Sequence, residues 1–253
     1  MIFDTHAHYD DEQFDGDRDE LLKSMPDFGV GTIVDVSATY ESCEKVLTLA
    51  GKYPHVYAAI GVHPDEVGEL NEDKIQHMKE LCCNKKVVAV GEIGLDYYWD
   101  NEPHEVQQKW FIRQLELAGE VKKPVIIHSR EAAADTMYIM KNYAQGLDGV
   151  IHCYSYSREM AEEYVKMGFY IGIGGVVTFK NAKKLKDVAA AIPIEKIVLE
   201  TDCPYMAPEP YRGKRNQSSY IQYVAEKIAE LKEMSPEEVI AVTEKNARDL
   251  YGI

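Results

Sequence analysis

Short runs of Val, Ile and other apolar residues recur along the chain and alternate with longer amphipathic segments. The runs are continuous and do not alternate with polar residues, which is typical of parallel strands buried on both faces. They predict eight strands, at Met1–Asp4, Gly31–Val36, Val56–Ile60, Val87–Val90, Val125–Ile127, Val150–Ile151, Phe169–Ile173 and Ile197–Leu199.

The segments between these runs predict helices. Their ranges are Asp17–Phe28, Tyr40–Lys52, Glu72–Cys83, Glu105–Val121, Arg130–Ala144, Ser157–Lys166, Asn181–Ala191, Ser219–Lys232 and Ser235–Tyr251. The last helix opens with the capping signal Ser235-Pro236-Glu237-Glu238. Eight β/α units without a linker favour one TIM-type (β/α)8 barrel domain over residues 1–253, because open doubly wound sheets usually have fewer strands.

The composition also predicts the cellular location of the protein. The 45% apolar and 28% charged content is ordinary for a soluble enzyme. No apolar stretch approaches the ~20 residues that span a bilayer, and Met1–Asp4 leads directly into a candidate ligand, which leaves no room for a signal peptide. The five cysteines are odd in number and form no C-x-x-C pair. We therefore expect a cytoplasmic protein with reduced thiols, no membrane contact and no obligate protein partner.

The formal net charge of −15 argues against broad electrostatic attachment to nucleic acid, which normally requires a basic face. It does not exclude an enzyme that holds a few phosphates through metal ions and a local basic cluster.

Six potential metal ligands lie at or just past the carboxyl ends of the apolar runs. They are His6, His8, Glu92, His128, His152 and Asp202. Because the carboxyl ends of barrel strands meet at one face, these side chains predict a catalytic metal centre there. His6 and His8 are two residues apart, so on a strand both imidazoles face the same side.

Each ligand taken singly also has a structural interpretation. His128 or His152 alone could be a hydrogen-bonded buried histidine, and Glu92 alone could cap a helix. Together they favour a site of one or two divalent ions, in which the carboxylate of Glu92 could span two cations with its two oxygens and Asp202 could act as general base. Zn, Mg, Mn, Ni and Fe all remain open. Cys153 and Cys203 follow proposed ligands but should face away from them.

Eight motifs carry a family resemblance. They are Asp4-Thr5-His6-Ala7-His8, Gly61-Val62-His63-Pro64, Gly91-Glu92-Ile93-Gly94-Leu95-Asp96-Tyr97, Ile127-His128-Ser129-Arg130, His152-Cys153-Tyr154-Ser155, Thr178-Phe179-Lys180-Asn181-Ala182, Glu200-Thr201-Asp202-Cys203-Pro204-Tyr205 and Arg212-Gly213-Lys214-Arg215-Asn216. In this order they resemble the TatD family of metal-dependent deoxyribonucleases, within the amidohydrolase-like barrels. The resemblance covers essentially the whole chain. It implies a dinuclear site built from the six ligands above and hydrolysis of DNA, often from the 3′ end.

Two departures from the family pattern are small. Tyr156 stands where the family often has Gly, and Gln217-Ser218-Ser219 stands where a Pro is common. Tyr156 could alter the mouth of the site and with it the substrate preference.

Several residues near the predicted strand ends are candidates for substrate contact. Arg212, Lys214 and Arg215 follow strand eight, where barrels often bind phosphate, although a solvated basic turn is the alternative. Arg130 and Lys180 could add phosphate contacts. The aromatic residues Tyr97, Tyr154, Phe179 and Tyr205 could stack on unpaired bases or serve only in packing. His63 could contact a phosphate or orient a ligand.

These observations support a metal-dependent phosphodiesterase acting on single-stranded or frayed DNA, as a 3′-5′ exonuclease-like deoxyribonuclease with DNA or RNA held through local phosphate contacts. The alternative is an ester or amide hydrolase such as a D-aminoacyl-tRNA deacylase, because the same centre can attack a carbonyl. A third hypothesis is a metal-bound scaffold without turnover.

Overall fold

A ring of parallel strands forms the centre of the computed structural model, which describes residues 1–99 and 101–253. The strands are β1 Ile2–Ala7, β2 Val30–Val36, β3 Val56–Ile60, β4 Val87–Asp96, β5 Val125–Arg130, β6 Gly149–Ile151, β7 Tyr170–Ile173 and β8 Ile197–Leu199. Each strand pairs in parallel with the next one in the chain. The predicted (β/α)8 barrel is confirmed.

The ring closes just beyond the end of β8. The amide of Asp202 donates to the carbonyl of His6 at 2.9 Å, and the amide of His8 donates to the carbonyl of Cys203 at 2.8 Å. Ala7 and Cys203 form a parallel bridge between these two bonds. The residues that close the barrel are therefore the ones that bring Asp202 beside His6 and His8.

A buried carboxylate stabilises the same junction. Asp4 Oδ1 accepts from the amide of Thr201 at 3.0 Å, and Asp4 Oδ2 accepts from the hydroxyls of Thr201 and Ser218, both at 2.6 Å. Burial still raises the pKa of Asp4 to about 6, although these hydrogen bonds oppose the shift. One side chain thus links β1, the segment after β8 and the helix that follows.

Helices cover the outside of the ring, mostly as predicted. Their ranges are α1 Arg18–Ser24, α2 Ser42–Lys52, α3 Glu72–Leu81, α4 His104–Val121, α5 Ala133–Tyr143, α6 Arg158–Lys166, α7 Lys183–Ala191, α8 Ile221–Lys232 and α9 Pro236–Tyr251. The first is shorter than predicted, because the chain tightens into a 3-10 turn at Met25–Phe28, where Pro26 lacks an amide hydrogen. At α9, Ser235 and Glu238 cap each other's backbone as the sequence indicates.

Three strands run further than the apolar pattern indicates, and the first of them is β1, which was predicted to end at Asp4 but continues to Ala7. β4 was predicted to end at Val90 but continues to Asp96, and β5 was predicted to end at Ile127 but continues to Arg130. The fifth helix therefore begins at Ala133, not at Arg130. Polar ligands at the ends of these strands conceal their true length.

Apolar side chains occupy two clusters. The larger packs the helices onto the ring, and the smaller joins strand side chains such as Phe3, Ile126 and Val198 to Leu250 and Tyr251 of α9. No helix within residues 1–99 and 101–253 is both long and apolar enough to cross a membrane. All five cysteines lie in this described part of the chain, and each is a free thiol.

Candidate metal centre

The six predicted ligands converge at the carboxyl face of the barrel. His6 and His8 point their Nε2 atoms at each other across 3.1 Å. His128 Nδ1 and His152 Nε2, from the ends of β5 and β6, are 3.4 Å apart. Two imidazole pairs therefore face one another across the mouth.

Glu92 lies between the pairs and gives one oxygen to each. Its Oε2 is 3.4 Å from His6 Nε2 and 3.8 Å from His8 Nε2. Its Oε1 is 2.6 Å from His128 Nδ1 and 2.8 Å from His152 Nε2. Each oxygen of this carboxylate therefore faces a different pair of imidazoles.

Asp202 completes the first set of donors. Its Oδ1 is 3.4 Å from His8 Nε2 and 3.8 Å from His6 Nε2. The side chain is 17% exposed, compared with 5% for Glu92. Solvent and substrate therefore have better access to the carboxylate of Asp202 than to that of Glu92.

The donor set fits divalent metal. Nitrogen and oxygen ligands bind zinc at about 2.1 Å, which places two donors of a tetrahedral site about 3.4 Å apart. The separations above scatter around that value, and each candidate cluster combines imidazole with carboxylate. Mixed ligation of this kind suits several divalent ions.

Gly94 allows β4 to approach β5 at the centre. Its φ is +148°, and a Cβ atom at this position would lie 1.9 Å from the carbonyl oxygen of His128. Any side chain here would push the two strands apart. The Gly in this motif therefore keeps Glu92 and His128 on adjoining strands at bonding distance.

Further groups hold the ligands in place, and the sequence analysis missed them. Asp96 Oδ2 is 3.0 Å from His128 Nε2, and the imidazole of His8 bonds through Nδ1 to the carbonyl of Val36 at 2.8 Å. Such partners fix the tautomer and orientation of a ligating histidine. The contact of Asp96 with the centre could have been predicted from the sequence, because residues four apart, such as Glu92 and Asp96, share one face of an extended strand. The contact of His8 with the carbonyl of Val36 could not, because every residue has a backbone carbonyl.

His63 lies in the centre itself. Its ring is 4.4 Å from that of His128, and its Nε2 is 4.0 Å from Glu92 Oε1. Burial, reinforced by the charge of His128, lowers the pKa of His63 to about 3, so the ring is neutral. Its donor atom also lies near those of Asp65 and Asp96. His63 is therefore placed to act as a ligand or to orient one, as well as to meet a phosphate.

Neighbouring carboxylates decide the charge on two of the ligands. Burial disfavours a proton on His8, but hydrogen bonding and attraction to Asp202 outweigh it and raise the pKa of His8 to about 10. Burial is likewise outweighed at His128, where Glu92 and Asp96 raise the pKa to about 9. Without metal, both rings carry a proton at neutral pH.

The pKa values of His6 and Glu92 shift in the opposite direction. Burial, aided by the charge of His152, lowers the pKa of His6 to about 4. Burial also opposes ionisation of Glu92, yet the charges and hydrogen bonds of His152 and His128 hold its pKa well below the usual range. Protonated imidazoles therefore balance the buried carboxylate when no cation does.

A basic pocket opens beside the ligands on the β8 side. Its volume is about 440 Å³, and it is lined by Gln13, Phe179, Pro204, Tyr205, Met206, Ala207, Arg212, Gly213, Lys214 and Arg215. The ring of Tyr205 is 6.4 Å from that of His8, and the Tyr205 hydroxyl donates to Asp11 at 2.7 Å. Five predicted substrate residues thus meet in one place: Phe179, Tyr205, Arg212, Lys214 and Arg215.

The cations of this pocket differ in how far they are engaged. Arg215 pairs with Asp17 at 2.8 Å and bonds to the carbonyl of Gln13 at 2.7 Å. Arg212 is exposed, and its guanidinium lies 4.3 Å from the ring centroid of Phe179. Arg212 is therefore the better candidate for a phosphate contact. Lys180, next to Phe179, is exposed and outside the pocket lining.

Two of the predicted stacking residues are placed differently from the expectation. Tyr154 is only 2% exposed and donates its hydroxyl to the carbonyl of Ser157, so it packs in the core and cannot reach a base. Tyr97 stacks on His104 at 3.5 Å and bonds to Asp135. Tyr154 is thus buried, and the stacked ring of His104 occupies one face of the half-buried Tyr97, which residue type alone does not reveal.

Tyr156 supports the end of β5 and the residues that follow it. Its hydroxyl hydrogen bonds with Ser129 Oγ at 3.0 Å and accepts from the amide of Ala132 at 3.2 Å. No candidate metal cluster of the described residues includes Cys153 or Cys203.

Metal binding should release protons, and its affinity should rise with pH. The pKa values of about 10 for His8 and about 9 for His128 mean that both rings must lose a proton to ligate a cation near neutrality. Raising the pH removes these protons beforehand and so strengthens binding. Calorimetric titration with Zn²⁺ or Mn²⁺ in buffers of different ionisation enthalpy measures the released protons. Binding without proton release would show that both rings are neutral in the metal-free protein.

Comparison with known proteins agrees with this geometry. A profile of the family described as "TatD related DNase" matches residues 3–252. The uncharacterized metal-dependent hydrolase YabD of Bacillus subtilis is 45% identical over 254 residues, covering 100% of both chains. The uncharacterized metal-dependent hydrolase YcfH of Escherichia coli is 36% identical over 257 residues, covering 100% of this chain and 96% of the other.

Solved structures extend the likeness to the fold. The TatD homologue YJJV from Escherichia coli is 33% identical and superposes with a TM-score of 0.93, covering 100% of this chain and 98% of that chain. A TatD family hydrolase from Entamoeba histolytica is 26% identical with a TM-score of 0.90, covering 99% and 98%. The chain therefore belongs to the TatD family and is a metal-dependent hydrolase.

Proposed function

We propose that this hydrolase cleaves phosphodiester bonds of single-stranded or frayed DNA, starting from the 3′ end. The observation that carries this proposal is the basic pocket beside Asp202 and His8. In a chain of net charge −15, Arg212 and Lys214 place positive charge next to the metal ligands. An anionic substrate is the simplest partner for that placement. The family description as a DNase supports the same substrate class.

Two cations per chain fit the proposal. His6, His8 and Asp202 with Glu92 Oε2 would hold one, and His128 and His152 with Glu92 Oε1 the other. Bound there, divalent ions supply a water of lowered pKa and neutralise charge on phosphoryl oxygens.

Asp202 acts as the general base. Hydrogen bonding with His8 and the charges of nearby histidines outweigh its burial and keep its pKa below the ordinary value, so the carboxylate is ionised. Being 17% exposed, it can accept a proton from the attacking water and pass it to solvent. Arg212 and Lys214 hold the phosphates that flank the scissile bond.

The direct test is hydrolysis of end-labelled oligonucleotides, single- and double-stranded, by the purified protein across a panel of divalent metals. We expect 3′-end shortening of single strands, loss of activity with EDTA and recovery on adding metal. D-aminoacyl-tRNA is assayed in parallel with the same preparation. Cleavage of the aminoacyl ester without phosphodiester hydrolysis, or full activity in chelator-treated protein, would contradict the proposal.

Asp202→Asn should abolish proton transfer while preserving the shape of the side chain. The amide can offer an oxygen to metal but is a poor base, so we expect kcat to fall by roughly 10²–10⁴. Metal content must be measured on the same sample, because the neutral amide is also a weaker ligand. Wild-type kcat would exclude Asp202 as the base. Activity restored at high metal concentration would assign it mainly to ligation.

Arg212→Ala should raise KM about three- to tenfold and reduce the salt dependence of KM, since an exposed charge–phosphate contact is lost. Arg215→Ala should raise KM less, because that guanidinium already pairs with Asp17. Lys245→Ala, on α9 away from the mouth, is the matched control. If KM and its salt slope are unchanged in Arg212→Ala, the loop is only a solvated turn.

A further inference from the structure

Two adjacent aromatic rings that the proposed mechanism does not use stand at the mouth of the barrel. Tyr98 is 54% exposed and Trp99 is 59% exposed, although large rings are normally buried. Exposed large apolar side chains in the described residues are Met1, Phe28, Tyr98, Trp99, Tyr138, Tyr143, Tyr205 and Met206. Two neighbouring pairs among them follow β4 and β8, beside metal ligands.

Asp96 ties the first pair to the metal centre. Its Oδ1 accepts from the amides of Tyr98 at 2.8 Å and Trp99 at 3.2 Å. Its Oδ2 is 3.0 Å from His128 Nε2. The carboxylate of Asp96 therefore holds both the backbone of Tyr98 and Trp99 and the imidazole of His128. The two rings are thereby fixed in position relative to the metal centre.

Arg130 supplies positive charge to the same surface. Its guanidinium lies 3.8 Å from the centroid of Tyr98 and 5.5 Å from that of Trp99. It follows His128 by two residues, and its carbonyl accepts from the amide of Tyr97 at 2.9 Å. Across residues 1–99 and 101–253, no carboxylate forms an ion pair with it. A guanidinium resting on a ring keeps its edge N–H groups available to a phosphate.

The angle between the rings limits what can bind. Their centroids are 5.0 Å apart and their planes meet at 84°. A planar group stacked on one ring meets the other ring at its edge, so the corner holds one base. Successive bases stacked one on each ring would require parallel rings. We propose that Tyr98, Trp99 and Arg130 form a binding site for one unpaired nucleobase and its adjoining phosphate.

The position of this corner in the ring supports a strand substrate. In an eight-stranded ring, the ends of β4 and β5 are opposite the ends of β8 and β1. The aromatic corner thus faces the basic pocket, with the ligand cluster between them. A single strand that crosses the mouth meets cations on one side, the hydrolytic centre in the middle and a stacking surface on the other. This inference rests on the proposed function, and it adds a separate base subsite.

A cycle of enzyme and substrate changes tests the subsite. Wild type, Trp99→Ala and the control Tyr138→Ala, which removes an exposed ring on α5, are assayed on a trithymidylate. The same trinucleotide is then used with an abasic tetrahydrofuran residue at each position in turn, and finally fully abasic. Thermal unfolding should be equal in the three proteins because both rings are exposed.

At one position, removing the base should lower the wild-type kcat/KM by roughly ten- to a hundredfold, the range for one stacked base. On the intact trinucleotide, Trp99→Ala should have a kcat/KM lower than that of wild type by the same factor. Removing the base at that position should not lower the kcat/KM of Trp99→Ala any further. On the fully abasic substrate the three proteins should be equal. Trp99→Phe should retain most of the activity, since a ring remains.

Two outcomes would overturn the subsite. The first is that Trp99→Ala cleaves the intact trinucleotide as well as wild type does, or that its kcat/KM falls by the same factor on the fully abasic substrate as on the intact one. Either result would show that no base stacks on Trp99, and it would leave the proposed phosphodiester hydrolysis unaffected. If wild type cleaves no oligonucleotide under any metal condition, the proposed function fails and the subsite fails with it.

Discussion

The centre depends on one buried carboxylate that must satisfy two groups of ligands at once. The side chain of Glu92 is 5% exposed, and its two oxygens face four imidazole nitrogens. A charge this deeply buried is tolerated only when opposite charge lies within bonding distance. Protons on His152 and His128 meet that need in the absence of metal, and bound cations would meet it in their place. The strong preference for positive charge is therefore a property of the fold.

The fold makes room for Glu92 by an irregular β4. The strand passes its expected end, carries Glu92 and Asp96 on one face, and uses Gly94 to approach the backbone of His128. Asp96 then contacts His128 through one carboxylate oxygen and accepts a hydrogen bond from the amide of the exposed Tyr98 through the other. A single strand end thus positions the bridging ligand, the partner of a second ligand and a surface that can meet substrate. Barrel closure does the same on the other side, where the bonds that join β1 to the end of β8 also set Asp202 against His8.

The sequence pattern predicted the barrel and the convergence of six candidate ligands at one face, because Val- and Ile-rich runs mark parallel strands and the carboxyl ends of such strands meet. It failed where the pattern was interrupted. The polar and glycine residues after Val90 concealed six further residues of β4, and with them the role of Asp96. It also could not separate Tyr154, which is buried, from Tyr205, which is exposed, since both are tyrosines just past a strand end. Burial there depends on the path of the loop. The pairing of Arg215 with Asp17 likewise joins distant segments and has no local signal.

The charge distribution constrains how any nucleic acid can be held. A chain of net charge −15 repels a long polyanion over most of its surface, so affinity must come from contacts near the centre. Those available are the cations of the β8 pocket, Arg130 and ions held by the ligand cluster. Stacking contributes without needing charge, and a ring can hold a base only when that base is unpaired. Under the proposed function, an acidic barrel with a small basic pocket and exposed rings at its mouth suits a flexible strand end, because a rigid duplex offers no unpaired base to the rings and brings further phosphates to an acidic chain.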